Sequence, residues 1–560
     1  MLKKTIALSI FFISFFSFSQ ETEFNTVLNK IAADLKTVQN SKSTFNQKIT
    51  SEQLGVILFN SSETNSKGKT KEIIYQLNLS DIDVNTIRPL TKKDVIMVQM
   101  IVKNNQKMIK KIENNEKISF VNKMFILANN IDNARVLTDL FKKISPISNQ
   151  ITENRLSLSG YDDRLAWLQK NIVDVSLINT TFNQNFIASE NNIGNVTFSS
   201  SIVKKKSTKN KKSQFNLSNI NPNTIFFKSK GSEFILSLET KRKLKTIKIF
   251  EDDEQKNYTN VLKINCSDVE NARDLQKVIK DIIPLAKKKF SDSYVEVLSL
   301  EEGVEVANNK IETITTNKRT IHQSFSKNLV STFSKKIIDP KKEIEFIYNF
   351  NFIDINKDDI EVSINGTEVL LILKTNFKNK FIKQVENDEL QNYTNKIEIF
   401  CNSIEEAYRL KNTFAKIIGL HDSKQLEKLK YSNIEEGVSE LKKNIFGVKV
   451  DKYTYEQSIS LKEENENKIL KLTNVKISEK KSEENIQEFN LFDVNPKSIE
   501  IVVSGKKVMV KFYTNFQEKI IKTYKDGNIK SYTNQATIFS TDIENARKIK
   551  RVLFALTTKK

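Results

Sequence analysis

Ser531-Tyr532-Thr533-Asn534-Gln535-Ala536-Thr537-Ile538-Phe539-Ser540-Thr541-Asp542-Ile543-Glu544-Asn545-Ala546-Arg547 reads as a strand running straight into a capped helix. Gln535 to Phe539 predicts the strand. Thr541 and Glu544 stand three apart, the spacing of a capping box, which places the helix N-cap at Thr541 and turns Glu544 back onto it. Ile543, Ala546, Ile549, Leu553 and Leu556 then make one apolar stripe at helical spacing. A stripe of that kind needs a sheet to cover.

The same spelling occurs three more times, at Asn129-Asn130-Ile131-Asp132-Asn133-Ala134-Arg135, Ser267-Asp268-Val269-Glu270-Asn271-Ala272-Arg273 and Asn402-Ser403-Ile404-Glu405-Glu406-Ala407-Tyr408. Ala134, Ala272, Ala407 and Ala546 are 138, 135 and 139 residues apart. Asn78, Asn216, Asn351 and Asn490, each between Leu or Phe neighbours, keep the same steps. So do Asn122, Asn260, Asn395 and Asn534, which close Phe-Val-Asn once and Tyr-Thr-Asn three times. Three markers in one register define an internal repeat.

The 560 residues therefore divide into four tandem domains: repeat 1 at 20–147, repeat 2 at 159–288, repeat 3 at 296–420 and repeat 4 at 431–560. Each is long enough to bury its own core. Each opens with a helical pattern, such as Val27, Leu28, Ile31 and Leu35 in repeat 1. Hairpins follow: Asn365-Gly366 separates two alternating runs, and Ser504-Gly505 does the same in repeat 4. Pro89 falls inside the expected fourth strand of repeat 1 and predicts a distorted hairpin there. The class is α+β, each unit an N-terminal helix, six or seven antiparallel strands and a C-terminal amphipathic helix. That order of elements resembles the pleckstrin-homology-like (PH-like) barrel, whose C-terminal helix plugs an open end of a bent seven-stranded sheet. A flatter helix-on-sheet layer fits the same pattern. The tandem plan is also similar to exported repeat proteins of Gram-negative envelopes without assigned activity, a resemblance that implies no site.

Residues 1–19 read as a secretory signal: Lys3 and Lys4, an apolar run from Thr5 to Phe18, and small residues at Ser17 and Ser19. The expected location is the periplasm or outside the cell, and the stop at Lys560 soon after the fourth helix favours the periplasm. No other stretch is apolar for the roughly 18 residues of a membrane-spanning helix. Cys266 and Cys401 hold equivalent repeat positions, whose counterparts are Ala128 and Ser540. They read as packed thiols, with a disulfide between them as the rival. Net charge is +21, mostly from lysine. Such a balance suits attraction to an anionic lipid, glycan or nucleic acid, or simply solvated lysine faces; phosphate recognition favours arginine, which argues against nucleic acid.

Two histidines leave no room for a histidine triad or a multi-histidine metal site. His322 sits at a variable repeat position and His421 in an expected linker. Lys204, Lys205, Lys206, Lys209, Lys211 and Lys212 form the densest charge run, a candidate anion-binding loop or a solvated hairpin tip. Tyr258, Tyr393 and Tyr532 of the Tyr-Thr-Asn motif are candidate groove residues for a sugar or peptide, or plain strand formers. Asp81-Ile82-Asp83 and its counterparts Asn219-Ile220-Asn221, Asp354-Ile355-Asn356 and Asp493-Val494-Asn495 read as Asx turns, too poor in oxygens for calcium. Arg135, Arg273 and Arg547 read as exposed helix residues. The expected protein is a non-enzymatic envelope scaffold without cofactor, whose partner is an envelope protein or anionic polymer. Lysine-mediated binding to an anionic polymer or lipid, and a carboxylate-based hydrolase, stand as alternatives. Oligomeric state is not legible in the sequence.

Overall fold

The computed structural model describes residues 20–558 apart from 191, 232, 317–318, 328–329, 423–428, 430 and 465–466. The signal reading at 1–19 lies outside them. The chain forms two compact bodies, Met1–Ser293 and Tyr294–Lys560, each holding two repeats.

Repeat 1 shows the plan. Helix α1 (20–34) is followed by nine strands: β1 (Val38–Gln39), β2 (Ser43–Gln53), β3 (Val56–Asn65), β4 (Thr70–Asn78), β5 (Arg88–Lys92), β6 (Val95–Ile101), β7 (Ile109–Glu113), β8 (Lys117–Val121) and β9 (Lys123–Ala128). Helix α2 (Ile131–Asn154) closes the unit. The strands form two antiparallel sheets, in the orders β1-β2-β3-β4-β7-β8 and β5-β6-β9, and this six-plus-three arrangement occurs four times along the chain. Nine strands replace the six or seven expected. The surplus is short edge pairing such as Val38–Gln39, too brief to leave a period-2 signal.

Phe24, Ile31, Phe59, Ala134, Leu137, Phe141 and Ile144 are all fully buried between the sheets and the two helices. One apolar core runs without a break from Phe24 in repeat 1 to Ala286 in repeat 2. In the second body the repeat 4 core takes in Tyr393 and Phe381 of repeat 3.

Pro89 pairs with Val98 in an unbroken register from Arg88 to Lys92. The expected distortion is absent because β5 is an edge strand, where a missing N–H costs no ladder bond. The β7–β8 turn carries Asn114 and Asn115 at φ 50° and 58°, the left-handed geometry that such hairpins favour. Asn114 Oδ1 also accepts from Glu72 N–H at 3.1 Å, and Asn387 and Asp526 make the same bond to Glu345 and Glu484.

The capping box lies one residue later than the sequence reading. Asp542 Oδ1 accepts from Asn545 N–H at 2.8 Å, while Asn545 Oδ1 accepts from Thr541 N–H at 3.2 Å. Asp268 with Asn271, Asn130 with Asn133 and Ser403 with Glu406 repeat the contact. The shift has a consequence, because it frees Glu544 and Glu270 to point elsewhere.

A glutamine joins the sheets in every repeat. Gln47 on β2 donates to Leu127 C=O at 2.9 Å and accepts from Leu127 N–H at 2.8 Å. Gln184 binds Asn265 in this way, Gln323 binds Phe400, and Gln457 binds Phe539. A primary amide presents the same donor and acceptor as a peptide group, so it completes the exposed edge of β9 as a neighbouring strand would.

Cys266 and Cys401 are buried free thiols. Burial pushes the Cys266 thiol up to about 12 and raises Cys401 as well. His421 sits in the last turn of the helix Ile404–Asp422 and not in a linker. No helix among the described residues is long and apolar enough to cross a membrane.

Candidate functional site

The turn after β4 positions the first half of the site. Asn78 accepts from Ser80 N–H at 2.9 Å and starts a tight turn, Leu79–Asp81, and Asp83 starts a second by accepting from Asn85 N–H at 3.0 Å. These are the Asx turns expected from the Asp-Ile-Asp spelling. They leave Asp81 on the surface that meets repeat 2, where its side chain is only 7 % exposed.

The second half is the first turn of the repeat 2 closing helix, Val269–Asp292. With Asp268 and Asn271 occupied by the cap, Glu270 and Arg273 share one face at i,i+3 spacing. Arg273 pairs with Asp81 and lies 3.4 Å from Glu270. Glu270 accepts from Asn78 Nδ2 at 3.0 Å and from Arg155 at 2.8 Å, and Arg155 also pairs with Asp274. Beneath the charges Phe120 of repeat 1 packs on Phe234 of repeat 2 with ring centres 5.1 Å apart.

The second body builds the seam again. Asn351 caps the turn Phe352–Asp354 and donates to Glu544 at 3.2 Å. Arg547 pairs with Asp354 and, at 3.2 Å, with Glu544, and its guanidinium stands 6.0 Å from the Phe381 ring. Tyr393 donates its backbone N–H to Gly505 C=O at 3.1 Å, across the same joint. Gly505 holds a φ of 63° with Asn392 Oδ1 3.2 Å from where a Cβ would stand, so a side chain there would strain the backbone and crowd Asn392.

Burial raises the carboxyls of Asp81 and Asp354, and the partner arginines Arg273 and Arg547 pull them back. Burial likewise opposes the charge on Arg155 and Arg273. Their acidic neighbours outweigh it, and both guanidiniums hold their protons more tightly than free arginine.

Arg273 and Arg547 are therefore seam residues, contrary to the exposed helix face expected of them. Of the three expected there, Arg135 alone lies as read, with its side chain 67 % exposed beside Asp132. The signal lay in spacing between repeats. Asp81 precedes Arg273 by 192 residues and Asp354 precedes Arg547 by 193.

Of the candidate groove tyrosines, Tyr258 and Tyr393 are buried at 7 % and 3 % exposed, whereas Tyr532 is 50 % exposed. The lysine run forms a hairpin, with Lys204 and Ser207 ending the strands and Lys205 and Lys206 in the turn. Lys209 approaches Glu251 at 3.3 Å, and Lys212 approaches Asp253 at 3.6 Å while standing 4.7 Å from the Phe250 ring. Lys204, Lys205, Lys206 and Lys211 are exposed. Lys211 and Lys212 line a cleft of about 280 Å³ in repeat 2 together with Asn183, Ser199, Ser201 and Phe250. In repeat 3 the counterpart of Ser200 is Lys335. This lysine is 6 % exposed, donates to Glu398 C=O at 3.4 Å and lies over the rings of Phe346, Tyr348 and Phe400.

No protein-family model matches this chain, and no curated protein or solved structure matches it significantly.

Proposed function

We propose that this protein is a non-enzymatic, exported scaffold of the cell envelope, which spaces and presents surfaces along four linked repeats. The observation that carries the reading is what the recurring polar residues do. The glutamine of every repeat joins two sheets, and the Asn, Asp, Glu and Arg shared by both bodies fasten one repeat to the next. Residues kept in register for joining hold the two repeats of each body at a fixed spacing, and linked surfaces gain avidity over single ones. Each repeat is read as an enlarged PH-like plan, with the closing helix packed against the smaller sheet.

The test is co-sedimentation with the envelope fraction of the producing cell, comparing residues 20–560 with each two-repeat body. The linked chain should bind on the order of tenfold more tightly or better, and equal affinity would overturn the reading. A second reading, lysine-mediated binding to an anionic polymer or lipid, is favoured by the exposed Lys204, Lys205 and Lys206 at the hairpin tip and by Lys211 at the repeat 2 cleft. Its mark is an affinity that falls steeply with salt.

A further inference from the structure

Repeat 4 carries the same joint surface that repeat 3 uses, and leaves it uncovered. Asn490 caps the turn Leu491–Asp493 as Asn78 and Asn351 cap theirs. Asp493 stands where Asp81 and Asp354 stand, and no cation pairs with it among the described residues. The apolar part of the surface is open as well. Tyr532 is 50 % exposed, whereas its counterparts Phe120, Tyr258 and Tyr393 are 9 %, 7 % and 3 % exposed. Ile520 is 40 % exposed, although Met108 at the same place in repeat 1 is 6 % exposed and Phe381 in repeat 3 packs into the next repeat's core.

Repeat 1 carries the complementary half. Ile131 opens its closing helix at 41 % exposed, while Val269, Ile404 and Ile543 are 8 %, 4 % and 6 % exposed at that position. Asp132 and Arg135 pair with each other at 3.0 Å across i,i+3, as Glu270 with Arg273 and Glu544 with Arg547 do inside the seams. The fork that would meet Asp493 is thus already set, facing solvent.

We propose that copies of this protein join end to end, the repeat 4 face around Asp493, Ile520 and Tyr532 receiving the repeat 1 helix start, Ile131, Asp132 and Arg135, of a second copy. The contact repeats the internal seam in trans: Arg135 takes the role of Arg273 and Arg547, and Asp493 that of Asp81 and Asp354. Continuity with an interface built twice in the chain, and opposite charge at the matching positions, select a second copy as the occupant. The two surfaces differ, so the contact is heterologous and leaves a free half at each end of any dimer, which leads to a ring or an open filament.

Sedimentation velocity of the purified full chain across a concentration series tests the proposal. Association should rise with concentration, and Arg135→Glu or Asp493→Arg alone should weaken it on the order of tenfold or more. The double variant carrying both changes restores the opposite charges and should recover association. A chain that stays monomeric at every concentration overturns the proposal. So does association indifferent to Arg135→Glu, or a double variant no better than the singles. Both sites lie away from the internal seams, so thermal melts of the variants should match the parent chain.

Discussion

The seams of the two bodies use one design with unequal amounts of charge. In the first body Asp81, Arg155, Glu270, Arg273 and Asp274 form a network whose side chains are all under a fifth exposed. In the second, Asp354, Glu544 and Arg547 do the same work, Glu544 is 36 % exposed, and Lys548 stands at the place of Asp274. Apolar contact joins both, Phe120 on Phe234 in the first body and Tyr393 and Phe381 against the repeat 4 core in the second. What both keep is the Asp–Arg pair over a capped turn. The pair sets the register, and the surroundings set how much it costs to break.

The largest effect should come from Arg273→Ala, which strands Asp81 and Glu270 in a buried place. Losing one member of such a network costs about 3–5 kcal/mol, to be read by urea unfolding of the first body through its single tryptophan, Trp167. Arg547→Ala should cost about 2 kcal/mol, since Glu544 can regain water; hydrogen exchange over residues 350–360 and 543–550 measures it. Equal losses would erase the distinction between the seams. Gln457→Ala removes two hydrogen bonds between sheets and should cost about 2 kcal/mol, with faster exchange at Phe539 N–H as the local sign.

A smaller effect separates the bodies in the other direction. Phe377 and Phe516 sit at φ 54° and are 93 % and 94 % exposed, where repeat 1 has Asn104 at φ 55°. Phe516→Asn should stabilise the second body by about 0.5–1 kcal/mol, because asparagine tolerates the left-handed region. At neutral pH the smallest effect is none: thiol reagents should leave Cys266 and Cys401 untouched in the folded chain. Burial pushes the Cys266 thiol up from its ordinary value of 9 to about 12 in the folded chain. Its protonated form therefore supports the fold fully below pH 9, and that support should be lost as pH rises from 9 toward 12.

The four repeats, their opening and closing helices and the Asx turns were legible because each writes a local pattern. The extra edge strands were not. Val38–Gln39 is two residues long, and its pairing with Thr44 and Phe45 depends on the sheet already present. The cap was displaced by one residue because Thr541 and Asp542 both suit an N-cap, and only the packed helix start chose between them.

The number of units and the order of helix and strand follow from the residues alone, since repetition and periodicity are properties of neighbours along the chain. What the recurring polar residues join follows only from the packed fold. Gln47 and Gln457 each bond a strand about 80 residues away, and Arg273 and Arg547 find their acids in the preceding repeat. Such partners are chosen by the packing of whole sheets, and a residue's own surroundings in sequence carry no record of them.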